Sequence, residues 1–90
     1  MKLGDALFNW LQIRVVADAR PNDRSAQETV NFFRQILTED HQVGELEYQK
    51  DDAVYTVRYQ HEGKTLTQQF PIEAVEQLLE WVEQESEQNR

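Results

Sequence analysis

Ninety residues carry 9 Lys and Arg against 17 Asp and Glu, for a formal net charge of −8, with no cysteine and 39% hydrophobic side chains. A chain of that length holds one modest core and leaves no room for a deep cleft beside a second domain. The acidic balance argues against nucleic-acid backbones and anionic membranes as partners, and the missing cysteines exclude a disulfide framework, a thiolate nucleophile and a Cys-based zinc site.

The opening stretch MKLGDALFNWLQIR has Asp5 early in its apolar run and no small-residue cleavage site, so no secretion signal is expected. No segment approaches the roughly 18 apolar residues of a membrane span. The expectation is a soluble cytoplasmic protein with no membrane association.

The first helix is predicted over about residues 3–17. At 100° per residue, Leu3, Ala6, Leu7, Trp10, Leu11, Ile13, Val15 and Ala17 fall on one side, with Phe8 at the margin. The stripe covers more than half the circumference. Either this helix is central, or one flank contacts another chain. The β-branched run Ile13-Arg14-Val15-Val16 favours extended backbone, but the surrounding period keeps it helical.

Arg20-Pro21-Asn22-Asp23 breaks the chain, since proline disfavours helix for the residue before it. Asn22, Asp23 and Ser25 all offer capping oxygens, and Ser25 to Glu28 has capping-box spacing, which assigns Ser25 as a cap. A second helix then runs to about Glu39, with Ala26, Val30, Phe33 and Leu37 on its apolar face and Phe32 and Ile36 widening it.

From Gly44 the period falls to 2. Leu46 and Tyr48 alternate with glutamates, Tyr55, Val57 and Tyr59 with polar residues, and Leu66, Gln68 and Phe70 with Thr65, Thr67 and Gln69. Two-residue loops at Asp51-Asp52 and Glu62-Gly63 set a register with Leu46 opposite Val57, Tyr48 opposite Tyr55, Tyr59 opposite Leu66, Val57 opposite Gln68 and Tyr55 opposite Phe70. All of these side chains then share one face, which a one-residue slip would scatter. The other face is polar, with Glu45 opposite Arg58.

Phe70-Pro71 ends the sheet and starts a last helix, whose stripe is Ile72, Val75, Leu78, Leu79 and Val82 with Glu73, Glu76, Glu80 and Glu83 outside it. The fold class is α+β, in the order α-α-β-β-β-α, a three-stranded antiparallel meander with helices packed on one face. One domain is expected over residues 1–85, followed by a polar tail at 86–90.

Residues from about 24 to 85 run helix, three strands, helix, an order that resembles the double-stranded RNA-binding domain. That family puts a lysine cluster at the start of its last helix to contact phosphates. Here the matching stretch, Pro71 to Glu76, is acidic, and the loop His61-Glu62-Gly63-Lys64 has one lysine. Carboxylates repel phosphates, so RNA binding is not expected.

Catalytic signals are weak. Ser25 and Ser86 lack the glycine-flanked strand-to-helix elbow of a nucleophile. His41 and His61 lie at different ends of the topology, so neither a metal nor a cofactor is expected. The three glycines are singly spaced and form no phosphate-cradling loop. A small-molecule ligand would need a concave pocket lined by the tyrosines. The expectation is a non-enzymatic protein that binds protein or self-associates, with Phe8, Trp10, Val16 and Trp81 as contact residues. The alternative is an acidic inhibitor or nucleic-acid mimic that occupies a basic site through Glu73, Glu76, Glu80 and Glu83.

Overall fold

A computed structural model describes residues 1–88. Its first helix, α1 (Leu3–Ala19), buries Ala6, Leu7, Trp10, Leu11, Val15, Val16 and Ala17. A helix apolar around most of its circumference is stable only where several neighbours cover it. Here α2 (Arg24–Gln35) and α3 (Ile72–Gln88) both pack against it. Phe8 meets Phe70 of the sheet at a ring separation of 5.5 Å, and Trp10 meets Tyr48 edge-on at 6.2 Å. The β-branched run at Ile13–Val16 stays helical because this burial outweighs its local preference.

α2 is capped by Asp23, whose Oδ1 accepts the Ala26 N–H at 3.0 Å. This corrects the assignment to Ser25, which lies inside the helix and offers its backbone oxygen to the Thr29 hydroxyl. The Pro21 turn decides the position: Asp23 N–H bonds back to the Arg20 carbonyl, leaving Asp23 in the extended conformation a cap requires. The helix continues as a π-helical turn over Ile36–Asp40. It ends with Gln42 at φ 57° and the Val43 N–H on the Leu37 carbonyl, both of whose side chains are buried. Gln42 takes the left-handed position glycine usually fills at a helix end, and after the π-helical turn the closing bond spans one residue more than the six-to-one bond of a Schellman motif.

The strands β1 (Gly44–Lys50), β2 (Val54–His61) and β3 (Lys64–Pro71) form one antiparallel sheet in sequence order. The second hairpin has the expected register, with Tyr55 opposite Phe70, Val57 opposite Gln68 and Tyr59 opposite Leu66. Glu62 and Gly63 both have positive φ, 52° and 76°, as a two-residue primed turn demands.

The first hairpin is displaced by two residues. Tyr48 faces Val57 and Lys50 faces Tyr55. Asp51 causes the displacement: its Oδ1 accepts from the Ala53 and Val54 N–H groups at 2.7 and 2.8 Å, and its own N–H bonds to the Val54 carbonyl at 3.0 Å. The loop is therefore Asp52-Ala53. A two-residue shift preserves the face of every side chain, so the tyrosines still point together. A bulge between Gly44 and Glu47, with Glu45 at φ 46°, shifts the register once more. Arg58 accordingly pairs with Glu47 instead of Glu45, which accepts from Gln60 Nε2 at 2.9 Å.

The architecture is a small single α+β domain with helices on the tyrosine face of the meander, as the alternation predicts. Helix α3 extends to Gln88, into the stretch read as a tail, and residues 89–90 lie outside the described residues. No described helix is long and apolar enough to cross a membrane.

Candidate functional site

The four contact residues read from the sequence part company. Trp10 and Val16 are each only 1% exposed and belong to the domain's own core. Phe8 is half-buried against Phe70. These three serve the central position of α1, the first of the two readings of its wide stripe. Trp10 packs on Tyr48 and not on Trp81. Trp81 alone stands out into solvent, 58% exposed.

The surroundings of Trp81 follow from how α3 is laid on the fold. Val75, near its start, is fully buried. Leu78, Leu79 and Val82 are only half-buried against the core. Ile72 in the first turn is half-buried as well, so Trp81 is exposed because it lies beside this stripe, where Leu78, Trp81 and Val82 make an i, i+3, i+4 apolar strip on the distal half. Glu80 and Glu83 flank it and are exposed, and no basic residue lies in the last turn.

Glu76 differs from its neighbours. It accepts from Lys50 Nζ at 2.8 Å and from the Tyr55 hydroxyl at 2.6 Å. Those hydrogen bonds hold its carboxyl below the ordinary range. One of the four glutamates read as a contact surface is therefore consumed in tying α3 to the sheet. Among the described residues, Glu73, Glu80 and Glu83 make no ion pair.

The tyrosine face is a set of clamps. The Tyr48 hydroxyl donates to Asp18 at the end of α1, and Tyr48 and Tyr55 lie 6.0 Å apart with Lys50 over the Tyr55 ring. Burial, and then Asp18, push the Tyr48 hydroxyl up to about 12. Burial and Glu76 push Tyr55 up as well. A tyrosine acting as a base near neutral pH needs the opposite shift, and a glutamic acid donor needs a raised pKa where Glu76 has a lowered one.

Tyr55 and Tyr59 are buried in the filled core. Tyr48 lines two surface recesses, one of about 290 Å³ with Trp10, Arg14, Arg34, Leu46 and Glu47, and one of about 90 Å³ with Glu47, Gln49, Thr56, Arg58 and Thr67. Among the described residues no three His, Asp or Glu side chains are grouped to hold a metal ion. His41 Nε2 lies 2.8 Å from the Met1 carbonyl oxygen, and His61 sits beside Glu62.

One exposed aromatic escaped the sequence reading. Phe32, placed on the apolar face of α2, is 58% exposed and touches Phe33 edge-on at 5.2 Å. Its position one residue from Phe33 gave the signal, since adjacent helical residues point about 100° apart and both cannot face the core. No protein-family model, curated protein or solved structure matches the chain.

Proposed function

We propose that this protein acts by binding another protein, without catalysis of its own, and that the distal half of α3 is the contact. The supporting observation is Trp81, a large aromatic left 58% exposed on a helix whose apolar stripe packs on the core. Tryptophan is enriched at interface hot spots. Its rim of Glu80 and Glu83 selects the partner's chemistry: a basic amphipathic segment that lays an apolar side chain on the indole and cations on the carboxylates.

The alternative function, an acidic inhibitor or nucleic-acid mimic, draws on the same glutamates but needs no tryptophan. Salt separates the two. A complex held by charge weakens steeply as ionic strength rises, whereas one anchored on apolar area weakens little.

The test is capture from lysate of the source cells by the wild-type chain, Trp81→Ala and Glu80→Gln/Glu83→Gln, each at low and high salt. The expected result is a partner whose retention falls at least about tenfold with Trp81→Ala, the cost of losing a single hot spot. Retention that ignores Trp81 but collapses with the glutamine pair or with salt favours the mimic. Retention that ignores both changes sinks the contact surface altogether.

A further inference from the structure

Cations are scarce in this chain, 9 Lys and Arg against 17 Asp and Glu, yet two arginines share one part of its surface. Arg14 of α1 and Arg34 of α2 line two recesses in common. The first, about 360 Å³, lies between α1 and α2 on the side of Pro21, with Gln27 and Asn31 beside Arg34. The second, about 290 Å³, reaches β1 at Leu46, Glu47 and Tyr48 and touches Trp10. Helical spacing accounts for the grouping. Arg14, Ala17 and Asp18 lie at i, i+3, i+4 on α1, and Gln27, Asn31 and Arg34 at i, i+4, i+7 on α2. Ala17 and Val30, both buried, give the first recess an apolar floor.

The charges along this groove are answered unevenly. Asp18 is held by Arg14 at 3.2 Å and by the Tyr48 hydroxyl, and Glu47 is held by Arg58 of β2. Arg34 makes no ion pair among the described residues, although acids outnumber bases in the chain. At the second recess the Trp10 indole N–H is buried without a hydrogen-bond partner. Both unanswered groups are donors with no acceptor capacity, so only an acceptor can satisfy them. Arg14 and Arg34 stand against Asp18 alone in the first recess and against Glu47 alone in the second, which leaves a surplus positive charge in each.

We infer that the groove between α1 and α2 binds a small organic carboxylate, its charged end on Arg34 and Arg14 and its apolar body over Ala17 and Val30. Charge and shape select this class. One carboxylate neutralises the surplus positive charge, and its two oxygens match the fork of a guanidinium through parallel N–H···O bonds. The apolar floor takes the rest of the molecule. Recesses of about 360 and 290 Å³ lie near the lower end of the range for small-molecule sites, so the ligand is small. The net charge of −8 repels any anion at long range, but screening beyond about 8 Å at physiological salt leaves the decision to the donors at the site. The groove does not include Trp81, so this ligand and a protein partner on α3 stand or fall independently.

The test is a titration of the nitrogen-15-labelled chain with sodium benzoate at constant ionic strength, followed by nuclear magnetic resonance. The amide signals of Ala17 and Val30 and the indole N–H of Trp10 are expected to move together and saturate, while the indole N–H of Trp81 stays in place. Arg34 is exposed and unpaired among the described residues, so Arg34→Gln keeps the fold and removes only the charge. That variant is expected to bind benzoate at least about tenfold more weakly, the cost of losing a hydrogen bond to a charged group. Benzamide, the neutral counterpart of the probe, is expected to leave all of these signals unmoved. Shifts that grow without saturating, as with sodium chloride, overturn the inference. Equal affinity in Arg34→Gln, or equal shifts with benzamide, overturn the role of the arginine. Inorganic phosphate that saturates the same signals at a lower concentration than benzoate overturns the carboxylate assignment.

Discussion

The Tyr55 hydroxyl donates to Glu76 Oε2 at 2.6 Å, joining the middle strand of the sheet to the last helix. Lys50, opposite Tyr55 in the ladder, reaches the same carboxylate oxygen at 2.8 Å. One acid thereby gathers two strands under α3. Removing the hydroxyl by Tyr55→Phe keeps the ring and its packing and leaves Glu76 with Lys50. The expected loss is about 1 kcal/mol, a fall of roughly 4–8 °C in the melting temperature. Thermal denaturation followed by circular dichroism measures it, and an unchanged midpoint would show that the bond contributes nothing.

Acid stability follows from the same carboxylate. Lys50 and Tyr55 hold Glu76 below its ordinary value of 4.5, which the unfolded chain recovers. A depressed folded-state pKa adds stability that is complete above the unfolded value and drains away as the pH falls through the folded one. Asp51, held down by the Val54 and Ala53 N–H groups, adds a loss of the same sign. Urea midpoints should therefore fall below pH 4.5, and Glu76→Gln should flatten that slope while lowering stability at neutral pH.

At the alkaline end the sign reverses. Burial and Asp18 raise Tyr48 from 10.0 to about 12, and Tyr55 is raised by burial and Glu76. A raised folded-state pKa gives stability that is complete below the unfolded value and lost as the pH climbs toward the folded one. Tyrosinate absorbance should thus lag behind that of free tyrosine, with unfolding between pH 10.0 and about 12. In Tyr48→Phe one of the delayed steps should vanish and the delay at Tyr55 should remain.

The two tryptophans should respond in opposite ways to truncation. Trp10 is sealed in the core, and Trp10→Ala should cost about 3–5 kcal/mol and leave much of the chain unfolded. Trp81→Ala should change stability by under about 1 kcal/mol, since most of its side chain is already in water. Chemical denaturation of both variants separates these outcomes. Comparable losses would mean that Trp81 is also a core residue.

The cap of α2 offers a sharper contrast between neighbours. Asp23→Ala removes the acceptor for the Ala26 N–H and should cost about 1 kcal/mol. Ser25→Ala should be close to neutral, because the serine lies within the helix and only its backbone oxygen is used. A larger loss at Ser25 than at Asp23 would return the cap to the serine.

What could be read along the chain was whatever depends on near neighbours. The order of elements, the Glu62-Gly63 hairpin with its pairing of Tyr55 and Phe70, and the gathering of the tyrosines on one face all follow from a period of 2 or 3.6, which any short stretch displays. What the folded chain alone decided depends on residues far apart in sequence. Trp10 lies within the apolar stripe of α1 and Trp81 beside that of α3, and the wheels left both open to a partner; α2, α3 and the sheet close over the first and leave the second 58% exposed. Glu76 reads like Glu73 or Glu80 until the Asp51 turn brings Lys50 opposite Tyr55 and both hold it. Periodicity says which side of an element is apolar. Which part of that side is covered is set by where its neighbours end, and that is a property of the packed whole.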